Sequence, residues 1–114
     1  MTGRLAGKVA YISGGATGMG GAASALFAAE GAKVAIIDLN IDAASERVEE
    51  IRRVGGQAVA VAADVSDEHA VAHAVSEAEK AFGPASVLFN HAGSIVIKPF
   101  LETTVEEWCR FALN

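Results

Sequence analysis

The sequence predicts an α/β fold built on a parallel sheet, and three observations lead there. Short apolar runs of strand length alternate with longer segments of helical period. The runs are continuously apolar, as strands covered on both faces are. The connections are short and marked by glycine or capping residues, the pattern of right-handed strand–helix–strand units.

Lys8–Ser13, "KVAYIS", is the first strand. A loop rich in glycine follows (Gly14, Gly15, Gly18, Gly20, Gly21), then an Ala-rich helix that runs to Glu30 and stops at Gly31. Lys33–Asp38, "KVAIID", is the second strand. Asn40 is placed to cap a helix with Ala44, Val48 and Ile51 on one face, ended by Gly55 and Gly56. Gln57–Ala63 is the third strand. Ser66 or Asp67 caps the next helix, whose stripe is Val71, Val75, Ala78 and Phe82 and whose stop is Gly83-Pro84. Ala85–Asn90 is the fourth strand. Thr104, with Glu107 three residues on, forms a capping box for a last helix reaching Asn114.

Composition narrows the function classes. A chain of 114 residues has room for one small domain or a piece of a larger one, and 52% apolar with 20% charged residues is globular. A net charge of −5 argues against nucleic acid or an anionic membrane surface as the main partner. One cysteine excludes an internal disulfide or a Cys-rich metal cluster and suits a reducing cytoplasm. The start, "MTGRLAGKVAY", lacks the apolar core of a signal peptide. The uncharged run Val9–Ala29 is long enough to resemble a membrane helix, and Gly14 and Gly18 mimic a small-xxx-small pattern. Ser13, Thr17, Ser24 and the central glycines argue against insertion, as do Lys8 and Glu30, which close the run abruptly.

Glycine within an element costs about 0.5–1 kcal/mol against alanine, so the cluster needs a local reason. Gly14, Gly18 and Gly20 are spaced G-x-x-x-G-x-G and open the first helix. A helix start has unpaired N–H groups and roughly half a positive charge, and glycine lets a phosphate reach them. The cluster therefore reads as an anion seat. Asp38 ends the second strand eighteen positions past Gly20, where a dinucleotide-binding unit places a carboxylate on the adenosine ribose. That carboxylate would repel a 2′-phosphate. Neither Gly15, Ala16 and Thr17 nor Leu39 supplies a basic residue to receive one, so NAD is expected over NADP.

With these residues in place, the sequence resembles the short-chain dehydrogenase/reductase family. "SGGATGMG" (Ser13–Gly20) is similar to the family's T-G-x-x-x-G-x-G, with Ser for Thr. "ADVSD" (Ala63–Asp67) resembles the segment whose Asp, here Asp64, bonds the adenine amine while Val65 packs near it. "NHAG" (Asn90–Gly93) resembles N-N-A-G, with His91 for the second Asn. The resemblance implies a Rossmann-type, doubly wound sheet of order 3-2-1-4, with a crevice between the glycine loop and the segment after strand four. On this reading residues 1–114 are the N-terminal part of a single NAD(P)-binding domain, truncated after four strands. Its implied cofactor set is Gly14, Ala16, Thr17, Gly18, Met19, Gly20, Asp38, Leu39, Asp64, Val65, Asn90, Ala92 and Gly93. Asn90 is expected to tie loops and ribose region together, and Gly93 to permit close approach.

The catalytic half of the resemblance is missing. The family reaction implies a Tyr acid/base, a Lys four positions later, a Ser on the substrate oxygen and a helix Asn, in chains about twice this length. The only Tyr is Tyr11, inside strand one, with Gly15 four positions on. Ser94 follows "NHAG" directly and is not the family's Ser. Asn114 lies in the right helix but six positions past Trp108, one short of the usual seven. One residue turns a side chain about 100° around a helix, so Asn114 is not assigned the role.

Other constellations read as structural. His69 and His73 have a metal-ligand spacing but lie opposite the apolar stripe, with Ala70 where a zinc protease has Glu. Cys109 is expected to pack inertly, Trp108 and Phe111 to pack, and His91 to fill a loop or titrate beside a ligand. The leading function is an NAD-dependent oxidoreductase that acts on a small alcohol or carbonyl, a cytoplasmic homo-oligomer when full length. A catalytically silent dinucleotide-binding module is the alternative. An S-adenosylmethionine methyltransferase is a third reading, which does not explain "NHAG".

Overall fold

The computed structural model describes residues 3–94 and 97–112. Its elements follow the expected order: β1 (Val9–Ser13), α1 (Gly18–Ala29), β2 (Lys33–Asp38), α2 (Ile41–Arg53), β3 (Gln57–Ala62), α3 (Glu68–Phe82) and β4 (Val87–Asn90). A short 3-10 turn (Phe100–Glu102) and α4 (Val105–Ala112) complete it. The expected end of α4 at Asn114 lies outside the described residues.

All strand pairs are parallel, in the order β3-β2-β1-β4. Side chains of successive strand residues point to opposite faces. Ala10, Ile12, Val34 and Ile36 therefore pack with Ala28 of α1 and Ala44, Val48 and Ile51 of α2. Tyr11, Ala35 and Ile37 pack on the other face with Ala74 and Ala78 of α3. Helices thus cover both faces of the central strands, and the chain reverses direction across the sheet between β1 and β4.

The register sets the functional edge. Ser13 of β1 lies beside Ile37 of β2 and Asn90 of β4, and Asp38 lies beside Ala62 of β3. All four strands end level, so the loops that follow them gather at one edge.

One expectation is resolved and three change in detail. Asp67, not Ser66, caps α3: its carboxylate accepts from the His69 and Ala70 amides at 2.9 and 3.4 Å. The buried stripe of α3 is Ala74 and Ala78, while Val71 is 36% exposed. Small residues win because the helix lies close against Ala35 and Tyr11. The strand β4 is not covered on both faces, and Leu88 is 62% exposed. Cys109 is exposed rather than packed, and Trp108 meets Phe100 edge-on at 6.5 Å while remaining exposed. The Phe111 side chain lies outside the description.

Candidate cofactor site

The glycine loop leaves β1 through Gly14, whose N–H donates to the Ile37 carbonyl at 2.8 Å. Gly14 has φ +66° and Gly18 φ +59°, the left-handed region that favours glycine. Gly20 is required for space. A Cβ there would overlap the Gly14 carbonyl and come within 2.7 Å of His91 Cδ2. The first turn of α1 thus lies directly against the end of β1.

The start of α1 differs from the other helix starts. Thr17 at its N-cap is extended and makes no side-chain capping bond, and no acidic residue lies in the first turn. By contrast α2 is capped by Asn40 and carries Asp42, and α3 is capped by Asp67 and carries Glu68. In α4, Thr104 Oγ1 accepts from the Glu107 amide at 3.1 Å, with Glu106 and Glu107 in the first turn. Orphan amides and the positive end of the dipole favour an anion. Only α1 has neither a capping side chain nor an acid there, among the described residues.

That start opens into a crevice of about 390 Å³ crossing all four strand ends. Gly14, Thr17 and Gly18 line it from the loop, Asp38 and Leu39 from the end of β2, Asp64 and Val65 from beyond β3, and Ala92 and Gly93 from beyond β4. A Cβ at Gly18 would meet nothing within 4 Å, so its face toward the space is open. Nine of the thirteen expected residues share this cavity.

The other four are placed differently. Ala16 is 2% exposed and joins through its backbone: its N–H donates to Asp38 Oδ2 at 3.2 Å. Met19 is largely exposed, and Gly20 is buried behind the loop. Asn90 lines a second crevice of about 380 Å³, beside Tyr11 and Leu88 on the α3 side of the sheet. Its sheet neighbour Ser13 ties down the loop after β4, its Oγ accepting from the His91 and Ala92 amides at 3.1 and 3.2 Å.

Two lining residues, Ile37 and Ala63, were not expected, and His91, expected either as loop filler or beside a ligand, lines the crevice as well. The first two directly precede Asp38 and Asp64, so strand-end position was an available signal. His91 contacts the Phe89 ring at 5.2 Å.

Electrostatics grade along the crevice. Asp38 is fixed by two backbone donors, Asn40 N–H on Oδ1 at 2.9 Å and Ala16 N–H on Oδ2. Asp64 Oδ1 accepts from the Ser66 hydroxyl at 2.6 Å and the Ser66 amide at 2.9 Å. These bonds, the hydroxyl's first, hold the Asp64 carboxyl below the usual carboxylate range. Asp64 therefore lines the crevice as an acceptor.

Tyr11 stands apart from this edge. Its hydroxyl donates to the Gly83 carbonyl at 2.7 Å. Burial first, then Glu79, pushes its phenol up, against the direction a general base requires. No group of three or more metal-ligating side chains exists among the described residues. No described helix is long and apolar enough to cross a membrane. Asn114 lies outside the description.

Comparison with known proteins follows the same outline. The family model "short chain dehydrogenase" matches residues 8–113. The 2,5-dichloro-2,5-cyclohexadiene-1,4-diol dehydrogenase LinX of Sphingobium indicum is 47% identical over 108 residues, 95% of this chain and 43% of the relative. The cyclopentanol dehydrogenase of a Comamonas species is 39% identical, over 98% of this chain and 45% of the relative. The solved apo form of LigD from Sphingobium sp. strain SYK-6 superposes with a TM-score of 0.92 at 31% identity, over 96% of this chain and 47% of that one. The chain thus spans less than half the length of these relatives. A match running from the residue before β1 to the last helix, on relatives that share this sheet, places the chain in the short chain dehydrogenase family.

Proposed function

We propose that the crevice binds NAD, and that these residues form the N-terminal, cofactor-binding part of a single domain in an NAD-dependent alcohol dehydrogenase or ketoreductase. The observation that carries the reading is the start of α1, left without cap or acid where the crevice passes it. Neighbouring strands are about 4.8 Å apart, so four strand ends span on the order of 15 Å. That length suits the base, sugar and diphosphate of an adenine dinucleotide laid across them.

The roles divide along the sheet. The glycine loop from Gly14 through Ala16, Thr17, Gly18 and Met19 to Gly20 receives the diphosphate on backbone amides. Asp38 accepts from the adenosine ribose hydroxyls. Its two backbone donors fix the carboxylate plane and leave further lone pairs on both oxygens. Asp64 and Val65, with Leu39, flank the adenine. Ala92 and Gly93 admit the second ribose, with Asn90 beside them. None of the described lining residues is Lys or Arg, which supports NAD over NADP. When bound, the nicotinamide supplies the hydride acceptor or donor for the alcohol–carbonyl couple.

The relatives' names, a cyclohexadiene-diol dehydrogenase and a cyclopentanol dehydrogenase, support a ring alcohol or its ketone as the substrate class. The exposed Leu88, Val105 and Trp108 support a homo-oligomer, and the lone exposed Cys109 supports the reducing cytoplasm.

Calorimetric titration with NAD and NADP tests the reading. The wild type should prefer NAD. Asp38→Ala should weaken NAD about tenfold or more, the value of a charge-assisted hydrogen bond, and narrow the discrimination against NADP. Unchanged affinities would remove Asp38 from the site, and a wild type blind to NAD would overturn the reading. The alternative reading is a catalytically silent binding module, in keeping with a Tyr11 hydroxyl committed to the Gly83 carbonyl. A full-length protein that binds NAD without forming NADH from any ring alcohol would select that alternative.

A further inference from the structure

The helix α2 sends one side chain back to the glycine loop. Arg47, 28% exposed, donates from Nε to the Ala16 carbonyl at 3.1 Å, and Glu50 holds its Nη1 at 3.0 Å. A Cβ on Gly21 would lie 2.9 Å from Arg47 Nη2, so the guanidinium uses space that this glycine leaves beside the Ala16 carbonyl. On its other side Ala16 gives its N–H to Asp38. One loop residue is therefore gripped on both flanking peptides, by a carboxylate and by a guanidinium.

The grip on the carbonyl reaches the far side of the same peptide. The described peptide bonds are all trans. In a planar trans peptide the C=O and the following N–H point in opposite directions. With the Ala16 carbonyl turned to Arg47, the Thr17 N–H is turned away from α2, and Thr17 lines the crevice. A cation on the carbonyl also polarises the peptide and strengthens that N–H as a donor. We propose that Arg47 is a positioning residue for anion binding, which orients and polarises the Thr17 amide toward the diphosphate of a bound dinucleotide. The proposal rests on the NAD reading above and adds a residue thirty-one positions from the amide's carbonyl partner.

Two probes separate the proposal from its parent: ADP-ribose, which carries the diphosphate, and adenosine, which lacks it. Titrated into the protein, Arg47→Ala should bind ADP-ribose about five- to tenfold more weakly and adenosine as the wild type does. Arg47→Lys, which keeps the charge without the planar fork, should recover part of the loss. The Thr17 amide proton should move upfield in the unliganded Arg47→Ala protein. Arg52 is the control, since it clamps the Ala58 carbonyl from the same helix at 2.9 and 3.1 Å. Arg52→Ala should lower the unfolding temperature and leave ADP-ribose affinity unchanged.

Equal ADP-ribose affinity in Arg47→Ala and wild type would overturn the proposal while leaving the NAD reading intact. So would adenosine weakening in step with ADP-ribose, the mark of a general structural defect. Should Arg47→Ala not fold, the same split in Arg47→Lys supports the proposal and its absence overturns it. A wild type that binds neither probe removes the NAD reading and this inference with it.

Discussion

The helices α1 and α3 both begin at the carboxyl edge of the sheet, one after β1 and the other after β3, yet their first turns are finished in opposite ways. In α3 the Asp67 carboxylate accepts two backbone amides, and Glu68 places a further negative charge against the dipole. In α1 Thr17 offers no capping bond, and the first turn is built from glycine and methionine. A first turn left without a cap forgoes about 1 kcal/mol of helix stability. The first turn of α3 is thus completed by its own sequence, whereas that of α1 is left open, as the proposed diphosphate site requires. Within α1 itself, Gly18 has open space on its face and Gly20 has none.

The strongest way to break the comparison is to block the close approach that α1 requires. In Gly20→Ala the added methyl meets the Gly14 carbonyl, which is backbone and cannot swing aside. Overpacking of this kind costs about 1–3 kcal/mol. The shifted loop should also lose NAD affinity by more than about tenfold, since misplaced amides no longer converge on one anion. Thermal unfolding and calorimetry read both effects. A variant as stable and as tight-binding as the wild type would show that the helix start is not fitted to its place.

Exchanging the two ways of starting a helix sharpens the comparison. Thr17→Asp gives α1 the cap that α3 has. It should raise stability by about 0.5–1 kcal/mol and weaken NAD about tenfold, because the carboxylate takes the amides and repels the diphosphate. Asp67→Ala removes the cap from α3. It should cost about 1 kcal/mol and leave NAD affinity unchanged. Opposite signs for stability and binding at α1, with stability alone at α3, are the expected pattern. Stability and affinity rising together in Thr17→Asp would contradict it.

Much of this edge was legible because its signals are local. Glycine spacing, the Asp38 strand end and the "NHAG" turn each occupy a few consecutive residues. What escaped depends on contacts between distant residues. The Ala16 peptide shows its importance only when Asp38 and Arg47 reach it from β2 and α2. The tie from Ser13 Oγ to the His91 and Ala92 amides joins residues 78 and 79 positions apart, which only the pairing of β1 with β4 brings together. The α3 stripe was misjudged by ranking valine above alanine. The facing Ala35 and Tyr11 leave room for methyl groups at Ala74 and Ala78. For β4, an apolar sequence identified a strand but could not say that Leu88 is exposed.

The start of α4 offers the smallest effect and a purely chemical way to unmake a cap. Thr104 and Glu107 exchange bonds, the Thr104 amide to Glu107 Oε1 and the Glu107 amide to Thr104 Oγ1, each at 3.1 Å. Lys98 adds a third contact, 2.7 Å to the same carboxylate oxygen. The Lys98 bond first, then the Thr104 amide, lowers the Glu107 carboxyl from its ordinary 4.5 to about 2, against a smaller upward push from burial. An acid whose pKa is lowered by folding stabilises the folded state fully above its unfolded value. That contribution shrinks as pH falls below about 4.5 and is gone below about 2. Glu107 should therefore titrate near 2 by carboxyl NMR, and the Thr104 amide shift should follow the same curve. Glu107→Gln should flatten that part of the acid limb without touching NAD affinity, since neither Thr104 nor Glu107 lines the crevice. A midpoint at 4.5 would mean that the Glu107 carboxylate engages neither the Thr104 amide nor Lys98. The start of α4 would then be reduced to the single cap from Thr104 Oγ1, a step closer to the open start of α1.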